Sequence, residues 1–236
     1  MKKLIIIAVG FLVFFTSCKK DTNMKVSPAP GDPMTDIDGN VYRTIQIGNQ
    51  LWMQENLRTT RYADGASITA QTFGYKNSYE DEANYFTDSV NKYGLLYNWV
   101  AATRAEQNCQ TKVSFSDEKR QGVCPNGWHL PNDKEWKILV DNLGGKRVAG
   151  GKMKTVGFDD WKSPNLSATN ESQFYATPSG QFFDGFDSLG YYAYYWSSTQ
   201  KDAFTGGSVY IGYHWDQVDI SSAGKTAGLA CRCIRD

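Results

Sequence analysis

Four cysteines, Cys109, Cys124, Cys231 and Cys233, constrain this chain most, because its other end directs them to a compartment where thiols oxidise. Met1-Lys2-Lys3 is a short basic start, residues 4–15 are apolar apart from Gly10, and Thr16-Ser17 are small residues before Cys18. A charged start, a short apolar stretch and small residues before a cut are the layout of a secretory signal over residues 1–17. The stretch falls short of the roughly 20 residues a membrane-spanning helix needs. An even cysteine count in an exported chain reads as a disulfide framework. Cys231 and Cys233 lie two apart, on the same face of a strand and poorly placed to bond each other. Each is expected to reach back to Cys109 or Cys124, tying the C-terminal strand to the middle of the chain. The closed loops exceed about 100 residues and are worth about 4–5 kcal/mol each in the chain-entropy model, less any strain.

Cys18 directly follows the small residues and precedes Lys19-Lys20-Asp21. This arrangement resembles a bacterial lipobox, whose cysteine becomes the lipidated first residue. The resemblance implies lipidation at Cys18 and an outer-membrane lipoprotein facing the periplasm or the cell surface. Losing Lys2 and Lys3 with the leader takes Lys+Arg from 25 to 23 against 25 Asp+Glu. A near-neutral chain has no electrostatic footprint for nucleic acid, so the membrane, met through the lipid, is the first expected partner.

Residues 18–35 hold Pro28, Pro30, Gly31 and Pro33 and few large apolar side chains. That composition predicts a disordered tether, with the folded domain at 36–236. Val41, Ile45 and Ile47, then Leu51-Trp52-Met53, read as two strands joined by a tight Gly48-Asn49 turn. Residues 59–92 read as an elaborate surface loop, and 100–105 as a short helix. Asn132 with Glu135 three residues on is a capping box, Trp136, Leu139, Val140 and Leu143 keep helical spacing, and Gly144-Gly145 ends that helix. From Phe174 onward aromatic segments broken by Gly, Pro and Ser read as β, closing with one strand over 229–234. Strands at both ends around helices indicate a single α+β domain.

Several segments resemble the Fibrobacter succinogenes major paralogous domain family, common in exported lipoproteins of Bacteroidetes-type bacteria. They are Asp36-Ile37-Asp38-Gly39-Asn40, Gln50-Leu51-Trp52-Met53-Gln54-Glu55-Asn56-Leu57, Tyr93-Gly94-Leu95-Leu96-Tyr97-Asn98-Trp99, Tyr195-Trp196-Ser197-Ser198-Thr199 and Cys233-Ile234-Arg235-Asp236. Gly127-Trp128-His129-Leu130-Pro131 with Glu135-Trp136 also looks like a motif shared by formylglycine-generating enzymes and their non-enzymatic relatives. Together they imply a C-type lectin-like fold: an N-terminal hairpin, two helices and a C-terminal antiparallel sheet, stapled by disulfides. The resemblance implies Cys124–Cys233, with Cys109–Cys231 as the remaining pair.

Trp128 and Trp136 are expected in the core, and His129 is expected to satisfy a buried backbone group. The copper chemistry of formylglycine-generating enzymes needs a spare thiol pair, and Cys231 and Cys233 both have expected disulfide partners. The calcium-and-sugar motif of C-type lectins is absent: Ser163-Pro164-Asn165 stands in place of a Glu-Pro-Asn or Gln-Pro-Asp triplet. Asp159, Asp160, Asp184, Asp187 and Asp216 offer oxygen ligands, but loop aspartates are ordinarily turn chemistry, so neither a structural calcium nor any other cofactor is expected. No phosphate loop or serine-hydrolase elbow is present.

The positive hint is aromatic. Tyr191, Tyr192, Tyr194, Tyr195, Trp196, Tyr210, Tyr213 and Trp215 crowd into the C-terminal β region. Strand alternation buries about half of them, leaving others at the surface. Tyr194, Trp196, Tyr210, Tyr213 and Trp215 are the candidate ligand-binding residues. The expected function is a non-catalytic binding module for glycan or protein; the alternatives are an envelope assembly subunit without a soluble ligand and a copper-dependent thiol oxidase.

Overall fold

The computed structural model describes residues 29–71, 84–86, 90–105 and 119–236. The leader, Cys18 and Cys109 lie outside them. In chain order the elements are β1 (Ala29–Thr35), β2 (Val41–Ile47), β3 (Gln50–Met53), β4 (Thr69–Gln71), β5 (Asn84–Phe86), α1 (Val90–Tyr93), β6 (Leu96–Tyr97), α2 (Trp99–Thr103), β7 (Trp128–His129), α3 (Asp133–Asn142) and α4 (Lys146–Met153). There follow β8 (Gln181–Phe182), β9 (Phe186–Asp187), β10 (Tyr192–Gln200), β11 (Thr205–Gly212), β12 (Val218–Gly224), β13 (Leu229–Ala230) and β14 (Ile234–Arg235). The architecture is mixed α and β, mostly antiparallel. One sheet runs β1-β2-β3-β14-β7, a larger one runs β12-β11-β10-β13-β6-β5-β4, and β8-β9 form a small hairpin.

The Gly48-Asn49 turn joins β2 to β3 as expected, with Ile47 opposite Gln50 and Thr44 opposite Met53. The expected tether is corrected at its C-terminal end. Residues 29–35 are β1, paired with β2 through a register shift between Gly31 and Met34. Prolines are tolerated on an edge strand next to a bulge, and burying Met34 to 5% exposure anchors the strand. The expected loop over 59–92 contributes β4 and β5 to the rim of the larger sheet.

The α3 helix carries the capping box: Glu135 N–H donates to Asn132 Oδ1 at 3.0 Å, and Asn132 N–H to Glu135 Oε2 at 2.9 Å. Its Trp136, Leu139 and Val140 are buried. A further helix, α4, starts directly after the Gly144-Gly145 break, beyond the two helices expected from the sequence. Gly150 and Gly151 lower its helix propensity, and both are needed for packing. A Cβ on Gly150 would stand 2.4 Å from Gln217 O, and one on Gly151 2.5 Å from Ser167 O.

The expected final strand is two. β13 lies between β10 and β6 in the larger sheet, and β14 lies between β3 and β7 in the smaller one. Cys231-Arg232-Cys233 makes the crossing, fixed by the Cys124–Cys233 disulfide. Neighbours on β10 face opposite sides. Tyr195 packs with Trp52, Trp136 and Phe174 in one core cluster, whereas Trp196 packs with Tyr97 and Trp99 in another. Phe174 and Ala176, expected on a strand, are fully buried in a loop bridged to Lys154.

Candidate functional site

Tyr192, Tyr194 and Trp196 share one face of β10. Across the ladder stand Gly212, Tyr210 and Ser208 of β11. The row runs from the core outward. Trp196 is fully buried and donates its indole N–H to Tyr97 O at 2.6 Å. It is therefore a core residue, which corrects its place among the candidate ligand contacts: Tyr97 of β6 and Trp99 beside it cover that end of the face. Tyr195, on the opposite face, is buried as well.

Tyr194, Tyr210, Tyr213 and Trp215 are brought together, half-exposed, with Tyr192. Tyr192 stacks on Tyr194 at 5.6 Å, Tyr194 meets Tyr210 at 5.8 Å, and Tyr210 meets Trp215 at 6.0 Å between ring centroids. Tyr213 and Trp215 flank exposed His214 at 4.8 and 4.3 Å, and Tyr191 closes the row against Tyr213 at 5.2 Å. Gly212 makes this possible, because a Cβ there would stand 2.7 Å from Trp215 Nε1. Burial pushes the Tyr194 hydroxyl up to about 12 and the Tyr210 hydroxyl upward, so both remain neutral near pH 7.

The residue that seats this platform was not legible in the sequence. Lys154 looks like another surface lysine after a helix, yet it is fully buried. Its Nζ donates to Leu166 O at 2.7 Å, Trp215 O at 2.8 Å and Gly212 O at 3.1 Å. It thereby holds both ends of the turn that presents Tyr213, His214 and Trp215. Burial lowers this ammonium to about 8.

Trp128 and Trp136 are buried as expected. The expected role of His129 is corrected: it meets two carboxylates instead of a backbone group. Its Nδ1 lies 2.7 Å from Asp236 Oδ1 and its Nε2 2.8 Å from Glu135 Oε1. The arrangement ties the chain end and β7 to the capping box of α3.

The Cys124–Cys233 bond is present, and Cys231 is a buried free thiol whose expected partner, Cys109, lies outside the described residues. Burial pushes the Cys231 thiol up, away from the reactive thiolate. Of the loop aspartates, Asp160 pairs with Lys92, and Asp187 accepts from Ser188. Asn165, in the place of a lectin triplet, donates inward to Thr155 O and Gly157 O. Among the described residues no group of three or more His, Cys, Asp or Glu side chains is arranged to hold a metal.

No curated protein and no solved structure matches the chain. The family model of the Fibrobacter succinogenes major domain matches residues 45–235, and the chain belongs to that family.

Proposed function

We propose that this protein is a lipid-anchored envelope protein whose domain is a non-catalytic binding module for glycan or protein ligands, received on the Tyr192-Tyr194-Tyr210-Tyr213-Trp215 face. The observation that carries this reading is the continuous row of half-exposed rings on β10, β11 and the turn after β11, a turn held by buried Lys154. Tyrosine and tryptophan pair a flat apolar face with a polar tip, which suits sugar rings and protein hot spots. A C-type lectin-like fold is supported by β2, β3 and the C-terminal β14 lying side by side in one sheet. The thiol-oxidase reading loses support because Cys233 is bonded to Cys124 and Cys231 is sealed in the core. Among the described residues no helix is long and apolar enough to cross a membrane, and anchoring is assigned to lipid on Cys18.

The test is ligand capture on glycan arrays and by crosslinking in the native host, comparing the parent with Tyr194→Ala, Tyr210→Ala, Tyr213→Ala and Trp215→Ala. Each folded variant is expected to lose about 1–2 kcal/mol of binding. Unchanged capture by folded variants would reject this face as the site. Protease accessibility on intact cells then decides which side of the outer membrane the domain faces.

A further inference from the structure

The two larger sheets end in β1, β7, β4 and β12. Three of these edges are guarded. β1 carries Pro30 and Pro33 and a register shift, β7 is two residues long and β4 three. Prolines, bulges and shortness are the ordinary means of keeping an edge from pairing with another chain. β12 has none of them: it runs seven residues, Val218–Gly224, in unbroken register with β11. Its second half, Ser221-Ser222-Ala223-Gly224, carries no large or charged side chain, and both serines are exposed.

The register fixes which backbone groups point outward. Lys225 N–H donates to Phe204 O at 2.9 Å, just beyond the Thr205–Gly224 pair, and on the other side of β11 Tyr213 N–H donates to Tyr191 O at 2.9 Å. Hydrogen-bonded pairs alternate along an antiparallel ladder. Asp219, Ser221 and Ala223 therefore bond β11, and Val218, Ile220 and Ser222 aim N–H and C=O away from the sheet. α4 lies against the start of the strand, with Lys146 on Asp219 and Gly150 backed onto Gln217 O. At the far end Gly224 O accepts from Ala227 N–H. Between them, the outward N–H and C=O of Ile220 and Ser222 have no hydrogen-bond partner among the described residues.

We propose that β12 pairs antiparallel with β12 of a second copy of this chain, about a two-fold axis at Ser221. In this register Ile220 stands opposite Ser222 of the second copy, and each such pair exchanges both N–H···O bonds, so the free groups satisfy one another. An axis at Ser222 would need Gly224 O, which Ala227 already holds, and one at Ile220 would need Val218, which is buried. Across the chosen axis Ser221 meets Ser221, and Asp219 meets Ala223, so no like charges stand opposite. A foreign peptide would match the backbone alone; the symmetric register matches the side chains too. The two-fold sends the two α4 helices to opposite ends of the paired strands and joins the sheets into one. Asp219 lies opposite Tyr210, on the face that carries the aromatic row, so both rows look the same way. On the reading of that face as a binding surface, the pair is bivalent for a repeating ligand.

The test is disulfide trapping of the full chain in detergent under mild oxidation, with the parent setting the background from its own thiols. At a pair that exchanges no backbone bonds the Cα atoms lie about 4.5 Å apart, within disulfide range. Ser221→Cys should therefore form a covalent dimer at least about tenfold faster than Ser222→Cys, whose thiols stand two positions out of register and beyond the roughly 7 Å limit. Ser222→Pro removes an outward N–H without taking a bond from β11, and added to Ser221→Cys it should abolish the crosslink in a protein that circular dichroism shows to be folded. In the parent, amide exchange at Ile220 and Ser222 should slow as protein concentration rises, while Ser221 stays protected throughout, a readout that needs no variant. Equal crosslinking at the two positions, a crosslink that survives Ser222→Pro, or exchange at Ile220 and Ser222 that ignores concentration would overturn the proposal. None of these readouts uses a ligand, so failure of the aromatic face to bind and failure of the pairing are told apart.

Discussion

Lys154 shows how much one side chain can organise. Its ammonium satisfies three carbonyls, two of them at Gly212 and Trp215 on either side of the platform turn. Lys154→Met keeps the stem and removes the donors. The expected loss is about 1–3 kcal/mol in urea unfolding, since buried acceptors are left unpaired, and binding at Tyr213 and Trp215 should weaken with it. The pH dependence has a definite sign. The unfolded chain keeps the Lys154 proton to its ordinary 10.5, while the folded chain releases it at about 8. Between those values the unfolded state holds more protons, so stability contributed here rises with pH. Urea midpoints for parent and Lys154→Met at pH 7.5 and 9.5 should show the parent gaining relative to the variant, and the opposite trend would refute the assignment. No local sequence pattern announces this lysine: its acceptors come from segments 12, 58 and 61 residues away.

At the scale of elements, local signals worked where the physics is local. The β2–β3 turn and the α3 cap depend on residues two to four apart, and both form as the sequence reads. The α4 helix escaped because its reason is remote. Gly150 and Gly151 weaken a helix, yet they admit the backbones of Gln217 and Ser167. Gly150→Ala is therefore a sharp test. Propensity alone predicts a gain of about 1 kcal/mol, whereas the contact at 2.4 Å from Gln217 O predicts a net loss. A urea midpoint above the parent's would show that the close approach is not required. The division of the last strand into β13 and β14 is hidden from the sequence for a similar reason. Residues 229–234 are all buried, so no alternation marks where the chain leaves one sheet for the other.

For the whole molecule, the Cys124–Cys233 bond closes a separation of 109 residues and joins the segment before β7 to the crossing between the sheets. Reduction, or Cys124→Ala with Cys233→Ala, should lower stability by about 4–5 kcal/mol in the chain-entropy limit. Denaturant unfolding with and without reductant measures it, and an unchanged midpoint would mean that core packing alone fixes the crossing. Such a constraint suits two core clusters that meet at the central strand β10. The family, the mixed α and β class, the first hairpin, the capped helix and an aromatic C-terminal sheet are legible in the chain, because these rest on short-range periodicity, turn chemistry and ordered motifs. Long-range packing places Trp196 inside while Tyr192 and Tyr194 on the same face stay half-exposed. It also decided that Lys154 and Arg232 are buried cations. Alternation assigns a side chain to a face, but how much of that face is covered depends on elements such as β6 and α2, about a hundred residues away in the chain.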